Sequence, residues 1–298
     1  MEEKICVVTG ANSGIGKVTA EALAQQGATV VMICRDRGRG EAAVQEIKKK
    51  SGNEKVALLL VDLSSQQEIR SVAREISSRY PRIDVLVNNA GGIHPTRTLT
   101  ADGLETTFAV NHLAYFLLTN LLLPQLKASA AARIVNVTSQ AHRYGRIFFD
   151  DLGLEKRFNP MMSYAQSKLA NILFTYELAR RLEGTRITAN TLHPGGVRTN
   201  FGKELTGIAG FVFKHLGFLM RSPQKGAETV IWLAASPEVE GVTGKYFLDK
   251  KEIKSSQISY DAEIARRLWQ VSAELTGFES AQAMSYARSE RVGHQPRN

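Results

Sequence analysis

The chain has 298 residues, enough for one large α/β domain or two small ones, and nothing in it reads as low complexity or as an internal repeat. Its 43% hydrophobic and 22% charged residues are those of a soluble globular protein, and no apolar run reaches the ~18 residues that span a bilayer. The formal charge of +9 comes from scattered Lys and Arg with a modest cluster at Arg288, Arg291 and Arg297; without interleaved aromatics to stack bases, nucleic acid is not an expected partner, and attraction for a phosphate-bearing ligand explains the charge as well.

In chain order, residues 5–8 form a short apolar run that ends in Thr9-Gly10 and predicts the first strand. A helix is expected over 14–26, a strand at 29–34, a helix at 40–50, a strand at 56–61 and a helix at 66–79. The strand at 83–87 ends in Asn88-Asn89-Ala90-Gly91, and a long helix is expected over 103–128. A strand at 133–137, a helix at 162–182 and a strand at 187–192 follow, then a helix at 224–235 and a last strand at 245–248. The strands are continuous Val/Ile/Leu runs, which marks strands buried on both faces. Their alternation with helices predicts an α/β fold: a doubly wound, mostly parallel, Rossmann-type sheet in a single domain. Residues 201–220 are apolar but glycine-broken, and read as a substrate lid, an interfacial anchor or a helix packed on the core. Cys6 and Cys34 sit in strand-like runs, so buried reduced thiols are expected. Met1 leads directly into the first strand without a leader-like stretch, and a cytoplasmic location is the expectation.

Thr9-Gly10-Ala11-Asn12-Ser13-Gly14-Ile15-Gly16 lies where the first strand becomes the first helix. Glycines there let the backbone turn tightly and approach a pyrophosphate, and the helix N-terminus supplies free N–H groups. The end of the second strand selects the nucleotide: an acid would bind the ribose hydroxyls, a base a 2′-phosphate. This chain has Cys34 followed by Arg35, with Lys17 adding charge, so NADP is expected rather than NAD, although Asp36 is close by. Tyr164 and Lys168 are four apart, hence on one helix face. An ammonium beside a phenol favours the phenolate, giving a group that exchanges a proton near neutral pH. His112, His142 and His193 lack a cluster of carboxylates or cysteines, so hydrogen-bonding roles are expected and no metal site.

These residues together resemble the short-chain dehydrogenases/reductases. The motifs are the glycine turn, Asp62-Leu63, Asn88 to Gly91, Asn111, Ser139, Tyr164 with Lys168, and Pro194-Gly195 with Thr199. The retinol dehydrogenase-like branch is resembled through Ile33-Cys34-Arg35-Asp36, Asn111-His112-Leu113, Ser167-Lys168-Leu169-Ala170-Asn171, His193-Pro194-Gly195 and Gly244-Lys245-Tyr246-Phe247. One departure is Thr138, where many relatives carry a serine. The resemblance implies an NADP-dependent enzyme that interconverts a small apolar alcohol and its aldehyde or ketone: retinoid, steroid or lipid carbonyl. Tyr164 would be the general acid/base, Lys168 its modulator, Ser139 the donor to the substrate oxygen, and Asn111 the holder of a water behind Lys168. Gly10, Ser13, Gly14, Ile15 and Gly16 would bind pyrophosphate; Asp62 and Leu63 the adenine; Asn89 and Ala90 the cleft; Pro194 and Thr199 the nicotinamide amide. The domain would cover 1–278, with 279–298 as a basic tail. A homodimer or homotetramer through 103–128 and 162–182 would follow the family habit. The alternative is a non-catalytic NADP(H)-sensing or scaffolding protein.

Overall fold

The structure is a computed structural model and describes residues 1–197 and 221–278. The segment 201–220, Thr199 and the tail 279–298 lie outside the described residues.

The apolar runs become β1 (Ile5–Thr9), β2 (Thr29–Cys34), β3 (Val56–Leu60), β4 (Val85–Asn88), β5 (Arg133–Val137), β6 (Thr188–Leu192) and β7 (Tyr246–Leu248). With a short β8 (Lys251–Glu252) they form one eight-stranded sheet in the order β3-β2-β1-β4-β5-β6-β7-β8. All neighbours pair in parallel except β7 with β8. The described helices are α1 (Gly14–Gln25), α2 (Arg37–Ser51), α3 (Gln66–Arg79), α4 (Thr106–Phe108), α5 (Ala114–Leu121), α6 (Leu123–Lys127), α7 (Pro160–Arg181), α8 (Pro223–Ala235) and α9 (Ala262–Thr276).

Successive residues of a strand face opposite layers. On β1, Val7 packs in one layer with Leu86, Phe116 and Phe174, whereas Cys6 and Val8 pack in the other with Leu23, Met32 and Val87. The first layer holds α3, α5, α7 and α9; the second holds α1, α2 and α8. Burial on both sides explains why the strands read as unbroken apolar runs. The strand order reverses at β1, and a crevice opens beyond the carboxyl ends of β1 and β4, where such sheets bind ligands.

The helix expected over 103–128 is broken for three local reasons. The Glu105 carboxylate accepts from the backbone N–H of Thr107 (2.9 Å) and Phe108 (2.8 Å), so the helix starts only at Thr106. The Ala114 N–H reaches back to the Ala109 carbonyl, making Ala109–Leu113 a π-helical turn around Asn111. Pro124 lacks an N–H and sits in the first turn of α6 after a break at Leu122.

α9 is a further helix beyond those expected, and its start and stop signals are present in the sequence. Asp261 caps it by accepting from Glu263 N (2.9 Å) and Ile264 N (3.0 Å), and Gly277 closes it at φ 58°. Ala265, Leu268, Trp269, Ser272, Ala273 and Thr276 form its buried stripe. The Trp269 ring stacks on Phe174 at 5.7 Å and meets Phe116 edge-on at 5.0 Å. α9 thereby covers α5 and α7, and every residue of α7 from Ser163 to Ala179 is buried within one chain. No described helix is long and apolar enough to cross a membrane.

Candidate active site

The crevice is a cleft of about 650 Å³, within the roughly 300–1,000 Å³ usual for small-molecule sites. Its head is the β1–α1 turn. The Thr9 hydroxyl donates to the Val87 carbonyl (3.3 Å) and accepts from the N–H of Asn89 (2.9 Å) and Ala90 (3.0 Å). The Asn89 amide returns a bond to the Thr9 carbonyl (2.8 Å), so the ends of β1 and β4 are stitched together and Asn89 acts on the protein's own backbone. Gly10 has φ +66°, and a Cβ there would stand 2.9 Å from Ala90 Cα. A Cβ on Gly16 would meet the Gly10 carbonyl oxygen and Asn89 Nδ2 at 2.4 Å, so the absence of a side chain lets α1 seat against the turn; the residue is not among those that line the cleft. Ser13 is the N-cap of α1, makes no side-chain capping bond, and lines the cleft with Gly14 and Ile15. Unused N–H groups at a helix start, approached by glycine backbone, suit the diphosphate of a dinucleotide.

Arg35 and Asp36 both line the cleft, but Asp36 is engaged elsewhere. It caps α2 by accepting from Arg39 N (2.8 Å) and pairs with Arg39 Nε (3.1 Å), which hold its carboxyl below the usual range. Arg39 is a second guanidinium on the cleft wall that the residue pattern alone does not mark, because its place depends on Asp36 capping α2. Lys17, expected to add charge, is instead ion-paired with Glu46 of α2. Asp62 and Leu63 line the cleft after β3, with the Asp62 carboxylate accepting from Ser64 N at 2.9 Å.

The catalytic candidates converge at the other strand ends. Tyr164, Lys168 and Ser139 share the cleft wall with Ala90 and Pro194. Tyr164 and Lys168 are both buried, and Lys168 Nζ lies 5.6 Å from the Tyr164 ring centroid while donating to the Val137 carbonyl (3.2 Å). Ser139 caps the 3₁₀ turn Gln140–Tyr144 by accepting from Ala141 N (3.2 Å), and its hydroxyl bonds to the Tyr164 hydroxyl. Burial governs both titrations: it pushes the Tyr164 phenol up to about 12, against the pull of Ser139, and lowers Lys168 to about 7. The Tyr/Lys spacing predicts a lowered phenol, whereas burial, opposed only by the Ser139 hydroxyl, raises it here.

Asn111 supports the wall instead of facing the cleft. Its amide pairs with the Gly92 backbone in both directions, accepting from N and donating to O at 2.9 Å each, and donates to Ser167 Oγ at 3.0 Å. The Asn111 carbonyl accepts from Asn171 Nδ2 (2.8 Å). Gly91 must be small, since a Cβ would stand 2.8 Å from Asn111 Oδ1 and 3.4 Å from Lys168 Nζ. Glu105, also missed from sequence, accepts a bond from Ser163 Oγ (2.8 Å) and so ties the α4 cap to the residue before Tyr164. At the far wall Gly195 has φ +81°, and its N–H donates to His193 Nδ1 (3.1 Å).

A cleft of this make brings a dinucleotide and a small alcohol or carbonyl compound together, which defines an α/β oxidoreductase. Residues 4–207 match the family described as short chain dehydrogenase. Human retinol dehydrogenase 14 is 45% identical, with 93% of this chain and 87% of that protein covered. Human retinol dehydrogenase 13 is 46% identical over 93% of this chain and 86% of that protein. Among solved structures, a protein from Mycobacterium paratuberculosis superposes with a TM-score of 0.75 at 36% identity, covering 93% of this chain and 94% of that one. A short chain dehydrogenase from Shigella flexneri complexed with NADP gives 0.68 at 26% identity, covering 84% and 98%. The chain belongs to the short-chain dehydrogenase family, in its retinol dehydrogenase-like branch, and is an oxidoreductase acting on CH–OH groups.

Proposed function

We propose that the chain is an NADP-dependent oxidoreductase that interconverts an apolar alcohol, retinol-like, steroid or lipid, and its aldehyde or ketone, with Tyr164 exchanging the proton. The observation that carries this reading is the meeting of Tyr164, Lys168 and Ser139 in one cleft that also holds the glycine turn and two guanidinium groups. Arg35 and Arg39 would hold a 2′-phosphate with bidentate hydrogen bonds. Gly10, Ser13, Gly14 and Ile15 would hold the pyrophosphate, Asp62 and Leu63 the adenine, and Pro194 the carboxamide. When bound, the nicotinamide supplies the hydride for reduction or takes it in oxidation. Tyr164 gives its hydroxyl proton to the carbonyl oxygen in reduction and removes the alcohol proton in oxidation. Ser139 donates a hydrogen bond to the same oxygen as charge develops there. Protonated Lys168 stabilises the phenolate that remains.

The test is titration of NADPH and NADH onto wild type and Tyr164→Phe, followed by turnover with retinal, a steroid ketone and a small aromatic aldehyde. Tyr164→Phe should bind NADPH as wild type does, tighter than NADH, and lose at least about 10²-fold in kcat. Turnover that survives the substitution removes Tyr164 from the chemistry. NADPH binding by wild type with no turnover on any carbonyl would favour the sensing or scaffolding role.

A further inference from the structure

The proposed chemistry uses Ser139 but leaves His142 unexplained. His142 is three residues further on, inside the 3₁₀ turn that Ser139 caps, and is fully buried. Its ring has a polar partner on each side. Nδ1 lies 2.8 Å from the Ser139 carbonyl oxygen, and Nε2 lies 3.1 Å from the backbone N of Ser256. An N–H must donate and a carbonyl must accept, so these partners assign the tautomer: Nδ1 carries the proton and Nε2 the lone pair. The Ser139 carbonyl also accepts from the His142 backbone N–H at 3.2 Å. The ring packs edge-on against Tyr246 at 5.1 Å, and Tyr246 stacks with His193 at 5.9 Å.

Both ends of this strut are anchored. On one side, the 3₁₀ turn closes at Gly145, where a Cβ would stand 2.4 Å from the Ala165 carbonyl oxygen; the turn therefore sits directly on α7 beside Tyr164. On the other, the segment bearing Ser256 is bound to α7 through Ser255 Oγ and Tyr176 Oη (2.9 Å) and to the turn through Arg143, which donates to the Lys254 carbonyl (2.7 Å). Rotation of the Ser139 peptide would move its hydroxyl off Tyr164, and the His142 ring is what spans from that peptide to fixed backbone.

We propose that His142 is a positioning residue for Ser139: its Nδ1–H holds the Ser139 peptide so that the hydroxyl faces Tyr164 and the substrate oxygen. This rests on the assignment of Ser139 as the donor to that oxygen. Asparagine and glutamine separate the two halves of the strut. Asn Nδ2 lies as many bonds from Cβ as imidazole Nδ1 and can still donate to Ser139. Gln Oε1 lies as many bonds from Cβ as Nε2 and can accept from Ser256, but leaves the Ser139 carbonyl without the ring donor.

Steady-state kinetics and NADPH affinity on His142→Asn, His142→Gln and Ser139→Ala test the inference. His142→Asn should keep kcat within about threefold, and His142→Gln should lose about tenfold or more in kcat, the scale on which a misplaced reacting group is felt. KM and NADPH affinity should stay within about twofold in both, because the strut acts on the reacting centre and not on binding. A wild-type kcat in His142→Gln overturns the proposal. So does an equal loss in Asn and Gln variants accompanied by loss of NADPH affinity, which would mark a packing role. Ser256→Pro guards against a folding defect: Ser256 has φ −68°, which suits proline, and the change deletes the N–H that holds Nε2 while His142 stays. It should lower kcat without moving KM, and unchanged kcat there also counts against the strut. Ser139→Ala keeps the two readings apart. Full activity in it removes Ser139 from the chemistry, whereas its inactivity beside unaffected His142 and Ser256 variants leaves Ser139 in place and removes only the strut.

Discussion

Lys168 carries a conflict between stability and chemistry. Burial takes its amine from an ordinary value of 10.5 to about 7, so the unfolded chain holds that proton more tightly than the folded one between those values. Stability therefore rises with pH from about 7, until the Tyr164 phenol, raised to about 12 from 10.0, opposes it above pH 10. Lys168→Met keeps the length of the side chain and removes the desolvated amine. It should raise stability at pH 7 by about 1 kcal/mol or more, at least about 2 °C in Tm for a chain of this size, and flatten the rise toward pH 10. Turnover should be lost in the same variant. A lower Tm at pH 7 would show that the amine is better solvated than its surroundings indicate. The pair at 164 and 168 was legible in the sequence because a four-residue spacing is all that it needs. The sign of the Tyr164 shift was not, because burial is set by what α5 and the strand ends place around it. Likewise Arg35 stood out beside Cys34, while the engagement of Lys17 with Glu46 and of Asp36 with Arg39 depends on where α2 begins.

At the scale of elements, β1 to β4 declared themselves because they are apolar runs buried on both faces, whereas β6 (Thr188–Leu192) buries Thr188, Asn190 and Thr191. The segment 103–128 looks like one helix because its middle is mostly apolar, and what interrupts it is local detail: the Glu105 cap, the buried Asn111 and Pro124. α9 has caps and a regular stripe, and its importance emerges only from its partners. Trp269 is its anchor, with the Arg181 guanidinium 4.2 Å from its ring centroid on the side of α7. Trp269→Ala should cost about 3–5 kcal/mol in urea unfolding, as for other large buried aromatics, with kcat per folded molecule unchanged. A loss below about 1 kcal/mol would mean that α9 rests loosely on α7.

For the molecule as a whole, three buried histidines set a lower pH boundary. His112, His142 and His193 are each brought to about 4, in every case chiefly by burial. The unfolded chain takes up their protons near 6.5, so it binds more protons than the native state between about 4 and 6.5, and stability falls as pH is lowered through that window. With three groups acting together the steepest slope is about 4 kcal/mol per pH unit, and the net charge of +9 adds repulsion in the same direction. Urea midpoints measured from pH 7 to pH 4.5 should drop steeply below pH 6.5; a flat profile to pH 5 would show that the imidazoles protonate in place. The same burial that makes these rings reliable struts makes the fold intolerant of acid.

The covering of α7 by α9 has one further consequence. A segment late in the chain that packs onto an earlier element closes a long loop, so its contacts form only when both ends of that loop are in place. Here the chain lays its own α9 on α7, so part of the packing behind the helix that bears Tyr164 and Lys168 comes from the same chain.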